Sequence, residues 1–206
     1  MKNLRKRVQK SIITALLFAA SLSGCAMGTE PDTDKRPNFL LVVADDMGYT
    51  DLGSFGGEIE TPTVDALAAE GIRFTDFHVS VSCSPTRSML MSGTDNHLAG
   101  LGTMSELIQP WHVGKPGYEG HLNNRVVSLA EVLRDGGYHT YMAGKWHLGH
   151  AEGQLPYDRG FERTFSLMNG GASHWNDMSP LFESDVIHYT KNGQHLESLP
   201  GDFYSK

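Results

Sequence analysis

A chain of 206 residues with 39% apolar residues can bury one sizeable core, or can be a piece of a larger domain. Its formal charge of −7 includes five positives, Lys2, Arg5, Lys6, Arg7 and Lys10, with no acid before Glu30; without that segment the remainder stands at −12. A body that acidic argues against nucleic acid as a partner.

The first predicted element is an export signal. A basic stretch from Lys2 to Lys10 precedes the apolar run Ile12 to Leu22 and the small residues Ser23-Gly24, the three parts of a secretory leader. The run is too short to span a bilayer. Leu22-Ser23-Gly24-Cys25 resembles the bacterial lipobox, which implies a signal peptide over 1–24 and diacylation of Cys25. The alternative is a plain signal peptide with a chance cysteine. Acyl chains would hold the protein on the periplasmic side of a bacterial membrane or at the cell surface. Residues 25–37, with Pro31, Asp32, Asp34 and Lys35, read as a tether. Cys25 and Cys83 are the two cysteines, too few for a disulfide framework, so Cys83 needs burial or a chemical purpose.

The globular body is expected over 38–206. Phe39 to Ala44 is a continuous apolar run ending at two acids, the pattern of a parallel strand buried on both faces, and ligands of open α/β sheets sit at such carboxyl ends. Thr61 as N-cap, Pro62 at the first helical position and Gly71 as the stop punctuate a helix with apolar positions at Val64, Leu67 and Ala68. Ile72 to Phe77 suggests a strand. Ser128 and Glu131 form a capping-box pattern before Leu129, Val132 and Leu133, and Gly136-Gly137 ends that helix. Thr140 to Ala143 then leads into Gly144-Lys145-Trp146-His147. Alternating strand and helix signals predict an α/β fold with a largely parallel sheet flanked by helices. From about Gly153 the periodicity fades.

Cys83-Ser84-Pro85-Thr86-Arg87 resembles the signature of the sulfatase family, Cys-x-Pro-Ser/Thr-Arg. The resemblance implies that a maturation enzyme oxidises Cys83 to formylglycine (3-oxoalanine). A hydrated aldehyde carries two hydroxyls on one carbon: one attacks sulfur, and the other later drives sulfate out as the aldehyde re-forms. Asp45-Asp46 matches the family's first metal carboxylates, with residue 83 also facing the metal. Hard oxygen ligands suit calcium, with magnesium the alternative. Gly144-Lys145-Trp146-His147 looks like the family's third block. By that resemblance Lys145 binds sulfate oxygens, His147 takes a proton from the hydrate during sulfate release, and Arg87 orients the formylglycine.

Gly117-Tyr118-Glu119-Gly120-His121-Leu122 and Gly160-Phe161-Glu162-Arg163 draw the likeness toward bacterial arylsulfatases. One departure is Gly93-Thr94-Asp95, where many sulfatases carry Gly-Arg after the cysteine motif. A later Asp-Asn pair, a second Lys and a leaving-group His have no match before Lys206. His174 is best read as a loop histidine, and His78, His97, His112, His121, His139, His150, His188 and His195 show no zinc spacing.

The resemblance implies an alkaline-phosphatase-like α/β scaffold of which the chain supplies the N-terminal portion, expected to be inactive alone. The expected activity of the whole is hydrolysis of a sulfate ester, on a small molecule or a sulfated glycan. Two rivals stay open: a phosphate or phosphonate monoester hydrolase with the same nucleophile, and a lipoprotein that binds sulfated glycans, or a remnant, without turnover.

Overall fold

The computed structural model describes residues 36–173, 175, 177–183 and 185–199. The leader, Cys25, most of the tether and His174 lie outside the described residues. The chain divides into two units, 1–43 and 44–206. In the first, residues 36–43 form neither helix nor strand, and Leu40 is 90% exposed. The strand predicted over Phe39–Ala44 is therefore corrected: apolar residues become a strand only when a neighbour completes the ladder, and this run is not part of the described sheet.

The second unit opens with two short 3-10 turns, Tyr49–Asp51 and Gly53–Phe55, and helix α1, Pro62–Glu70. Pro62 stands at the first position and Gly71 N–H closes the end on Leu67 O at 2.9 Å, as the punctuation predicts. Polar bonds fasten this helix. Asp65 accepts from Ser54 N–H at 2.7 Å and from the Thr61 hydroxyl at 2.9 Å, and Thr61 accepts from Gly53 N–H at 2.9 Å. Of its apolar positions, Val64 and Leu67 are 43% and 66% exposed. The strand predicted over Ile72–Phe77 is likewise absent; these residues are irregular and Ile72 is 83% exposed, with no ladder partner among the described residues.

Helix α2, Cys83–Ser92, ends on Gly93 in the left-handed region, whose N–H reaches Met89 O at 2.8 Å. Helix α3, Leu129–Asp135, carries the predicted capping box: Ser128 Oγ accepts from Glu131 N–H at 3.1 Å, and Glu131 Oε2 accepts from Ser128 N–H at 2.6 Å. Strand β1, Tyr141–Lys145, pairs in parallel with β2, Arg163–Leu167. Strands β3, Tyr189–Lys191, and β4, Gln194–Leu196, extend the sheet antiparallel in the order β1-β2-β3-β4. Asn192 and Gly193, both with positive φ, make the two-residue turn between them. The described sheet is thus mixed, with its parallel pair at the β1 edge.

Behind β1 the core gathers Trp146, Leu148, Leu101, Leu122 and Met168. Trp146 is 1% exposed, donates its indole N–H to Gln154 O at 2.9 Å and meets Phe161 edge-on. The guanidinium of buried Arg159 donates to Leu122 O and Val126 O, each at 2.7 Å, and lies 3.3 Å from Glu131 Oε2. Ser128 Oγ donates to Arg159 O at 2.5 Å. Gly160 passes so close to α3 that a Cβ there would lie 2.4 Å from Glu131 N. The segment 117–122 clasps the same core, with Gly120 N–H on Gly100 O at 3.0 Å and Leu122 N–H on Leu148 O at 2.9 Å. In both motifs the geometry is that of packing.

Candidate functional site

Cys83 is the first residue of α2, and Pro85 two positions on needs no hydrogen-bonded N–H there. This places the half-buried thiol at the helix N-terminus, where backbone amides favour negative charge. Four residues along, Arg87 lies one helical turn further on the same side. Its guanidinium donates to Lys145 O at 2.7 Å and stands 3.3 Å from Asp45 Oδ1.

β1 delivers the other half. Gly144 takes a φ of +114°, a conformation other residues avoid. Lys145 then donates to Asp45 Oδ2 at 2.7 Å. Trp146 and Leu148 turn into the core, and His147 between them is 4% exposed and has a φ of +57°. Left-handed backbone at a residue with a Cβ costs on the order of 1–3 kcal/mol and persists only where the surroundings enforce it; the two buried neighbours do so here. His147 Nδ1 lies 3.3 Å from Cys83 Sγ, and Nε2 lies 2.8 Å from Glu106 Oε1.

The electrostatics follow from these contacts. Burial alone would raise the Cys83 thiol, but the hydrogen bond and charge of His147, joined by Lys145, bring it below the ordinary value. Burial alone would lower His147, yet its bonds to Cys83 and Glu106 and the charges of both raise it. The His147 hydrogen bond pulls Glu106 down to about 2 against its own burial. Asp45 is lowered too: burial works the other way, and Lys145 and then Arg87 outweigh it.

The structure thus brings Cys83, Arg87, Lys145, His147 and Asp45 together. Asp46 follows Asp45 in the left-handed region, φ +55°. Three site residues escaped the sequence reading. Glu106 sits in the 3-10 turn Ser105–Leu107, Met104 Sδ is 3.4 Å from Cys83 Sγ, and Gly170 closes over the imidazole. Met104-Ser105-Glu106 carries no periodicity or motif that would have singled it out.

Asp45 and Asp46 offer the hard oxygens that calcium or magnesium takes. Among the described residues, however, no three His, Cys, Asp or Glu side chains gather as metal ligands, and both Asp45 oxygens face cations. The described donors match such a metal in kind but not in number, so no chemical step is derived through it.

Comparison with known proteins fits this geometry. Among solved structures, Ps i-CgsB superposes with a TM-score of 0.62 at 25% identity, covering 78% of this chain and 37% of that one. BT4656, solved with its substrate D-glucosamine-2-N,6-O-disulfate, gives 0.58 at 25% identity, covering 79% and 28%. These neighbours define an alkaline-phosphatase-like α/β fold, present here as a partial domain. The sulfatase family matches residues 37–199, and the chain belongs to that family. An arylsulfatase of Klebsiella aerogenes is 46% identical over 185 residues, 87% of this chain and 39% of that protein. An uncharacterized sulfatase of Schizosaccharomyces pombe is 54% identical over 144 residues, 68% of this chain and 26% of that protein. The chain therefore spans about a quarter to two fifths of the length of these relatives.

Proposed function

We propose that the whole protein hydrolyses sulfate esters, with residue 83 as nucleophile after its conversion from cysteine to formylglycine. The observation that carries this reading is the 3.3 Å approach of Cys83 Sγ to His147 Nδ1, across 64 positions of sequence, between Lys145 and the N-terminus of α2. In this reading Cys83 Sγ marks the place of a hydroxyl oxygen of the hydrate. The hydrate supplies an attacking hydroxyl and a second one whose deprotonation expels sulfate.

The chain's own residues do the rest. Lys145, held by Asp45, presents a compact cation to the sulfate oxygens. Arg87 fixes the end of β1 through Lys145 O and so sets the distance between the two halves of the site. His147 Nδ1 accepts the proton of the residue-83 hydroxyl, because it is the ring nitrogen facing that position. Asp45 and Asp46 are the two carboxylates that a divalent metal, calcium or magnesium, would take in the whole protein. The substrate belongs to the aryl or glycan sulfates, in keeping with the arylsulfatase relative and the disulfated glucosamine bound by BT4656. Export and anchoring through Cys25, drawn from sequence alone, belong to the same proposal.

Peptide mass spectrometry at residue 83, together with turnover of paired aryl sulfate and aryl phosphate substrates by the complete protein, tests the reading. An aldehyde at 83, faster turnover of the sulfate and loss of turnover in Cys83→Ala are expected. A free thiol throughout, or higher efficiency on the phosphate, would overturn it.

A further inference from the structure

We propose that Glu106 is the positioning residue of this site, fixing the tautomer and ring plane of His147 so that Nδ1 faces residue 83. The inference rests on the proposed role of His147 and adds a residue that the signature motifs do not include.

An ionised carboxylate accepts and never donates. Glu106 Oε1 at 2.8 Å from Nε2 therefore requires the proton on Nε2, and Nδ1 is left to face Cys83 Sγ at 3.3 Å. The carboxylate is itself held, because Ser105 Oγ donates to Glu106 Oε2 at 3.1 Å and the residue sits within a 3-10 turn. The same short segment places Met104 against Cys83, so one stretch of chain touches both partners of the imidazole.

Gly170 gives independent support. A Cβ there would lie 2.9 Å from His147 Cε1, 3.0 Å from Glu106 Oε1 and 3.1 Å from His147 Nε2. The backbone after β2 thus closes directly over the hydrogen bond, and only glycine leaves it undisturbed. When Nδ1 accepts a proton from residue 83, the imidazolium forms beside an ionised partner on its far side. Glu106 remains a carboxylate, and no contact with the reacting atoms is needed for this role.

The test uses the full-length protein in two states. In the matured enzyme, Glu106→Gln is expected to lower kcat on an aryl sulfate on the order of 100-fold with little change in KM, and Glu106→Asp to recover part of the loss. In the unmatured protein, which needs no turnover, nitrogen-15 NMR of the imidazole is expected to show Nε2 of His147 carrying a proton, assigned by the signal's absence in His147→Ala. Glu106→Gln should disturb that pattern. Gly170→Ala, which keeps both side chains, is expected to move both readouts the same way and serves if the glutamine variant does not fold. Wild-type kcat in these variants, or an unchanged nitrogen pattern, would overturn the proposal. A wild type that turns over no sulfate ester would sink the proposed function, while the nitrogen spectra would still decide the role of Glu106.

Discussion

Residues 45–81 and residues 93–168 belong to one unit, yet only the second stretch holds apolar side chains that are fully buried. In the first stretch Leu67, Ile72, Phe74 and Phe77 lie open, and α1 is moored by Asp65 and Thr61. In the second, Leu101, Leu122, Trp146 and Leu148 are sealed, and buried Arg159 saturates the carbonyls around them. Hydropathy alone would rank the two stretches alike. The difference is whether another layer lies over them, and burial rather than composition carries the stabilisation.

Point substitutions measured by denaturant unfolding would sharpen that contrast. Trp146→Ala should cost the most, about 3–5 kcal/mol, since it opens a cavity in the sealed region and strands Gln154 O. Arg159→Met should follow at roughly 3 kcal/mol, because it leaves the Leu122 and Val126 carbonyls without their donor. Ser128→Ala, which removes a cap and the bond to Arg159 O, should cost about 1–2 kcal/mol. Leu67→Ser on α1 should stay within about 0.5 kcal/mol of wild type; a loss as large as that of Trp146→Ala would erase the distinction between the two stretches.

A pH series gives the smallest and most specific effect. Burial alone would raise the Glu131 carboxyl, but the Ser128 amide and Arg159 outweigh it and hold it below the ordinary value. A depressed carboxylate contributes fully above its unfolded value, about 4.3, and loses that contribution as pH falls through its folded value. Stability should therefore drop on acidification below about 4.3, and Glu131→Gln should flatten that limb. An unchanged acid limb in the variant would show that other carboxylates set it.

Much of this was legible in the sequence, for reasons tied to particular residues. Pro62, Gly71, Ser128 and Glu131 act through local backbone chemistry, and the elements they bound are present. Cys83, Arg87, Lys145 and His147, read by resemblance, converge in space. The strands expected at 39–44 and 72–77 were not legible in the same sense, because a strand depends on partners that an apolar run cannot supply. Asn192-Gly193 was a readable hairpin signal in a region where periodicity had faded. Glu106 and Gly170 act only through tertiary approach, across 41 positions in the case of Glu106 and His147, and no local pattern marks them.

His147 is flanked in the chain by Trp146 and Leu148, whose side chains are themselves part of the core. The backbone that carries its imidazole is thus anchored on both sides by buried neighbours. On heating, the alignment of His147 with residue 83 should survive until the core itself melts, and inactivation and unfolding of this region should run together.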